Sequence, residues 1–257
     1  MTHAPYLPFM NHLADLAAPI SQKFFRQHNL VIDKPDYTPV TEIDIQIETI
    51  IRQEIEKTYP NHGFWGEETG QSNIGSDYIW VIDPIDGTKA FITGKPLFGT
   101  LIGLLYQGKP VAGLIDQSFT RERWIGMDGM GSTHNGIPIQ VAAPKQDLSS
   151  AKTYAGSPEM FDDVAGFNNL RRSVKYCLYG ADCYAYGLLS MGHVDLVIEK
   201  GLSPHDFCAL VPIIKNAGGY ISGWLGEDLT LHANGNVVAA SHQALAESAM
   251  ACLLGGN

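Results

Sequence analysis

Apolar residues recur along this chain with two periods. Leu13, Leu16, Ala17, Ile20 and Phe24 fall on one face of a helix, and Ile43, Ile47, Ile50, Ile51 and Ile55 do the same further on. The intervening residues 34–39 predict a turn or loop. Residues 63–66 and 78–82 read as strands. Apolar runs at 99–106 and 111–115, joined by Gln107-Gly108-Lys109-Pro110, make a hairpin signal. Residues 123–127 and 137–141 predict further strands, so the first half is expected to be antiparallel with flanking helices.

The pattern changes after the polar stretch 142–150, which carries Pro144. A boundary there divides the chain into an α+β domain, 1–145, and an α/β domain, 146–257. In the second domain strands near 152–155, 174–178 and 194–198 alternate with helices near 159–170, 182–191 and 204–216. Gly218-Gly219 would stop the last of these helices. Such alternation indicates a β/α layer.

Composition narrows the chemistry. The chain has 257 residues, 45% of them hydrophobic, with a formal net charge of -10. That charge, with scattered basic residues, argues against a nucleic-acid backbone as partner. No apolar run of about 18 residues exists, so no membrane span is expected. Residues 1–16 carry no Lys or Arg ahead of their apolar positions, and no secretory signal is expected. Cys177, Cys183, Cys208 and Cys252 form no C-x-x-C pair and read as reduced thiols of a cytoplasmic protein.

The run Trp80-Val81-Ile82-Asp83-Pro84-Ile85-Asp86-Gly87-Thr88 concentrates the candidate chemistry. Asp83 and Asp86 close an apolar run and precede a Gly-Thr turn. Two carboxylates so placed repel, and one tends to hold a proton unless a cation intervenes. A divalent metal is such a cation, and the helix start after Gly87 would suit a phosphate. A plain turn role fits both Asp equally well. Pro84 is expected to end the strand, and Ile85 offers only its carbonyl, itself a possible hard-metal ligand.

Three other acidic residues have double readings. Glu67 follows a strand-like run and is either a solvated loop residue or a partner of the Asp83 turn. Asp44 completes the capping-box pattern Thr41-Glu42-Ile43-Asp44. Asp206 stands third in a helix capped by Ser203 and opened by Pro204. Either could also point off its helix end toward a shared site. Other chemistries lack their motifs: there is no G-x-x-x-x-G-K-[ST], no H-E-x-x-H and no Asp-x-Asp-x-[TV]. Metal-activated water is therefore preferred over a covalent nucleophile. Gly126, Gly129 and Gly131 are expected to build turns, and Ser157 to cap a helix.

The run at 80–88 resembles the signature of the magnesium-dependent inositol monophosphatase family. Val40-Thr41-Glu42-Ile43-Asp44 with Glu48, Gly66-Glu67-Glu68, and Asp206-Phe207-Cys208-Ala209 followed by Ala217-Gly218-Gly219 resemble its other motifs, in order. His205, Lys89-Ala90 and Thr38 depart from the commoner pattern. Residues 87–105, 115–124 and 179–186 are similar to the histidinol-phosphate phosphatase branch instead.

The resemblance implies a layered α/β/α/β/α sandwich of the α/β (α+β) class, commonly a homodimer. It implies two or three Mg²⁺ ions held by Glu67, Asp83, Asp86, Asp206 and the Ile85 carbonyl, with Asp44 helping to place the weakest. Gly87 and Thr88 would hold phosphate, and Glu67 and Thr88 would orient the attacking water. On this view the N-terminal domain carries most ligands and the C-terminal domain closes the site over a small phosphorylated metabolite. Asp182, Glu199 and Arg123 are the candidates for the alcohol end. Asp182 could instead cap a helix, and Glu199 could be a solvated strand end. Two anionic groups would suit a substrate with a cationic amine, as in histidinol phosphate; inositol or sugar phosphates are the alternative substrates. A non-catalytic module that binds metal or a partner is the contrasting reading.

Overall fold

The structure is a computed structural model that describes residues 3–27, 31–33, 39–144, 147–161 and 164–255, with backbone alone at 31–33 and 39–41. Thr38 and most of the loop expected over 34–39 lie outside the described residues.

The chain begins with α1 (Leu7–Phe24), a short antiparallel pair, β1 (Val31–Asp33) and β2 (Pro39–Thr41), and α2 (Glu42–Thr58). Then follow β3 (Gly63–Gly66), β4 (Gln71–Ser72), β5 (Tyr78–Asp86), α3 (Thr88–Ile92), β6 (Gly99–Tyr106), β7 (Lys109–Gln117), β8 (Glu122–Met127), β9 (Gly131–His134) and β10 (Ile137–Ile139). These strands form one sheet in the order β10-β9-β8-β7-β6-β5-β3-β4, antiparallel except where β3 lies parallel to β5.

The second half supplies β11 (Lys152–Ala155), α4 (Phe167–Ser173), β12 (Tyr176–Tyr179), α5 (Asp182–Ser190), β13 (Leu196–Glu199), α6 (Pro204–Phe207), α7 (Leu210–Asn216), β14 (Tyr220–Gly223), β15 (Val237–Ala240) and α8 (Gln243–Leu254). Its sheet runs β12-β11-β13-β15-β14 and mixes parallel with antiparallel pairs.

Side chains alternate across a strand, so a strand buried on both faces feeds two cores. In β5, Trp80 and Ile82 pack toward α1 and α2, while Ile79 and Val81 pack toward α5 and α7. In the second sheet, Val197 and Ala239 join that middle core, while Ile198 and Ala240 join α4 and α8. The result is the expected α/β/α/β/α sandwich. No described helix is long and apolar enough to cross a membrane.

Several expectations are corrected. The helix expected over 204–216 is two helices, because Pro212 cannot donate to the Cys208 carbonyl and its ring crowds that position. The helix expected near 159–170 is a 3-10 turn, Pro158–Phe161, followed by α4. Ser157 stands directly before that turn. At Gly166 a Cβ would lie 2.2 Å from the Leu253 carbonyl oxygen, so the chain there is pressed against the end of α8. Gly126 is not a turn residue but lies within β8.

Gly126 belongs to a stripe that no periodicity announced. Gly103, Gly113 and Gly126 stand in register across β6, β7 and β8. A Cβ at Gly113 would fall 1.8 Å from the Ala209 carbonyl oxygen, and one at Gly126 2.4 Å from the Ile213 Cα. The missing side chains let the backbone of α6 and α7 lie directly on the sheet. That seating brings Asp206 beside the end of β5.

Candidate metal and phosphate site

Residues three apart in a regular strand face opposite sides. Asp83 and Asp86 escape that rule because the β5–β6 register shifts between them. Contrary to the expectation from the sequence, Pro84 does not end the strand; it sits inside this irregularity. Its carbonyl accepts a hydrogen bond from Thr100 Oγ1 at 2.8 Å. Oxygens of Asp83, Asp86 and Asp206 then lie within 4.8 Å of one another.

Asp206 reaches this cluster while capping its own helix. Its Oδ2 accepts from the Ser203 N–H at 2.6 Å, completing a capping box. The cap and the site are thus compatible roles for one carboxylate. Asp86 is similarly double: its Oδ2 accepts from the Cys183 N–H at 2.6 Å, at the start of α5. After Asp86 the chain turns at Gly87, whose φ of 79° is left-handed and suits glycine. Thr88 opens α3, and its hydroxyl donates to the Ile85 carbonyl at 3.1 Å.

Burial dominates the electrostatics. Asp83 is 2% exposed, and burial followed by the charges of Glu67, Asp86, Asp206 and Asp44 pushes its pKa well above the carboxylate range. Burial, then Asp182 and Asp206, raises Asp86, and the bond from Cys183 only partly offsets this. Burial raises Asp206 as well, against the lowering effects of His205 and the Ser203 amide. So many close carboxylates are compatible with ionisation only if a cation joins them. Asp83 Oδ1 is buried and makes no hydrogen bond among the described residues, as a metal-directed oxygen would. The donor set is all oxygen, which suits Mg²⁺.

The charges of Asp44, Glu67, Asp86 and Asp206 thus all reach Asp83, and that of Glu67 also reaches Asp206. Asp44 is fully buried near the start of α2, and Glu67 follows β3, the parallel neighbour of β5.

Asp182 and Glu199 line a 510 Å³ cavity together with Asp86 and Asp206. Asp182 does not cap α5; it is the first helical residue, with a φ of 47°. A Cβ on Gly87 would meet its Oδ2 at 2.9 Å, so Gly87 also makes room for Asp182. Glu199 is not a solvated strand end. It is 7% exposed, accepts from the Tyr186 hydroxyl at 2.9 Å, and burial pushes its pKa up to about 8.

Arg123 is not brought to this cavity. It bonds Asp116 at 2.7 Å, Asp15 at 2.8 Å and Asn11 at 2.9 Å, and lines a separate cavity of 620 Å³. The site includes residues that sequence reasoning passed over, namely Tyr186, Lys89, Lys95 and Met160. Lys95 donates to the Gly180 carbonyl, and its charge works against the burial that raises Asp182. The run 87–105 held the only signal for the two lysines.

A layered α/β/α/β/α fold with a cluster of carboxylates able to hold a metal, beside a Gly-Thr helix start, defines a metal-dependent phosphatase. The chain belongs to the inositol monophosphatase family, whose family model matches residues 4–254. It is 48% identical to the bifunctional phosphatase IMPL2, chloroplastic, of Arabidopsis thaliana over 241 residues, 92% of this chain and 69% of that protein. It is 33% identical to the histidinol-phosphatase of Chlorobaculum parvum over 238 residues, covering 91% of this chain and 92% of the relative. Among solved structures, an inositol monophosphatase from Zymomonas mobilis superposes with a TM-score of 0.86 at 40% identity, over 95% of each chain.

Proposed function

We propose that this chain hydrolyses histidinol phosphate to histidinol and phosphate, with Mg²⁺, as a step of histidine biosynthesis. The observation that carries the proposal is the placement of Asp182 and Glu199 in the cavity that opens from Asp86 and Asp206. An ammonium group there would meet carboxylates, which an inositol ring does not require. The ammonium charge would also draw Glu199 back to its ionised form. Likeness to a histidinol-phosphatase and to a bifunctional phosphatase supports the same reading.

Glu67, Asp83, Asp86, Asp206 and the Ile85 carbonyl would hold two or three Mg²⁺ ions, with Asp44 placing the weakest. When bound, the ions would supply an acidified water and charge stabilisation for the leaving oxygen. Gly87 and Thr88 present backbone N–H groups to the phosphate. Glu67 and the Thr88 hydroxyl orient the water. Asp182 and Glu199 fix the amine, so that the ester oxygen stays in line with that water. We further propose that the chain splits near residue 145, acts as a homodimer, and works in the cytoplasm, in keeping with four cysteines that form no disulfide.

A substrate panel with purified protein and Mg²⁺ tests the proposal. Histidinol phosphate should exceed inositol 1-phosphate in kcat/KM, and Asp182→Ala should cost the first about 10- to 100-fold, the worth of one charged hydrogen bond. A higher kcat/KM for inositol 1-phosphate, or equal losses on both esters, overturns it.

A further inference from the structure

Glu48 occupies the buried face of α2, where the period calls for a hydrophobe, and it is wholly shielded from solvent. Its carboxylate spans the loop after β3. Oε2 accepts from the Glu68 N–H at 2.9 Å and Oε1 from the Thr69 N–H at 2.5 Å. Arg52, one turn further along α2, donates from Nη1 to the Thr69 carbonyl at 2.8 Å and to its hydroxyl at 3.1 Å. The loop rests on the carboxylate because residue 66 is glycine: a Cβ there would fall 2.2 Å from Glu48 Oε1.

The two amides held by Glu48 directly follow Glu67. Glu67 lies close enough to Asp83 and to Asp206 for its charge to act on both, and like charges at that range oppose one another. Repulsion between like charges favours their separation, and the loop is the element that could move. Two charge-assisted bonds to a rigid helix oppose that movement, and such bonds are roughly twice as strong as neutral ones.

We infer that Glu48 is a positioning residue, holding the 66–69 loop so that Glu67 faces Asp83 before any metal arrives. This rests on the proposal that Glu67 is a metal ligand. Outer-shell groups of this kind typically control metal affinity by about 10- to 100-fold.

The test uses the full chain and Mn²⁺ alone, titrated by electron paramagnetic resonance, with melting in EDTA recorded in parallel. Wild type, Glu48→Gln, Glu67→Ala and the double variant are compared. Glutamine keeps the shape but turns one acceptor into a donor facing an N–H. Glu48→Gln should weaken Mn²⁺ binding about tenfold or more. In the Glu67→Ala background it should weaken binding no further, while still lowering the melting temperature, which a merely structural role would do in both. Unchanged affinity in Glu48→Gln, or losses that multiply in the double variant, overturn the inference. Unchanged affinity in Glu67→Ala overturns the ligand proposal itself, and the inference with it. If Glu48→Gln does not fold, Arg52→Met loosens the same loop from its exposed side, and wild-type affinity there overturns the inference.

Discussion

Replacing Gly113 by alanine adds one methyl group at the tightest contact between the first sheet and the helices that carry Asp206. The new Cβ would lie 1.8 Å from the Ala209 carbonyl oxygen and 3.0 Å from its Cα. Both are backbone atoms, so no side chain can rotate away. Ordinary contact requires the helix and sheet to part by roughly 1.5 Å. Overpacking of this kind costs about 1–3 kcal/mol, occasionally more. In a chain of this size each kcal/mol lowers Tm by about 2–4 °C. The functional loss should be larger, because Asp206 lies three residues before Ala209 and a misplacement of about 1 Å can cost 10²-fold in rate. Thermal melting and kcat with saturating Mg²⁺ are the assays. Gly75→Ala is the control, since a Cβ there meets nothing within 4 Å. If Gly113→Ala melts and turns over like Gly75→Ala, the glycine stripe does not position Asp206.

Two further outcomes follow from the electrostatics. Glu199 holds its proton up to about pH 8 in the folded chain, against about 4.5 unfolded, so its contribution to stability is complete below about 4.5 and disappears as pH rises through 8. In EDTA, Glu199→Gln should therefore gain on wild type by a few kcal/mol across that window, read by urea unfolding; parallel pH profiles would contradict the burial argument. Arg123→Leu strands Asp116, whose pKa burial already raises. It should cost about 3 kcal/mol or more of stability while leaving kcat/KM for histidinol phosphate near wild type; a selective loss of that activity would return Arg123 to the substrate site.

The helices α1 and α2 and strands β3 and β5 to β8 were legible because each has one apolar face or a double-faced apolar run, and burial follows such periodicity wherever the partners lie. The helix break at Cys208-Ala209 was legible in principle from Pro212. The strands β14 and β15 and the helix α8 carried no local expectation. Within the site, the motif residues at 67, 83, 86 and 206 were legible as acidic groups at element ends. Glu199 was legible as a site candidate but equally as a solvated strand end, and its packing beside Tyr186 and Gly156 decides against solvent. Arg123 misled because its nearest acids belong to α1 and β7, far away in sequence or on the neighbouring strand.

The sequence by itself determined which chemistry was possible: carboxylates without enough basic partners, a Gly-Thr turn after a buried strand, and no rival motif. Local rules could also explain each acid separately, as a cap, a turn or a loop residue. Tertiary structure removed that independence. A register shift turned Asp83 and Asp86 to one side, a stripe of glycines across three strands lowered α6 onto the sheet, and the buried Glu48 carboxylate pinned the loop of Glu67. Convergence of charge is a property of packing, because like charges meet only where the surrounding fold stabilises the arrangement more than their repulsion opposes it.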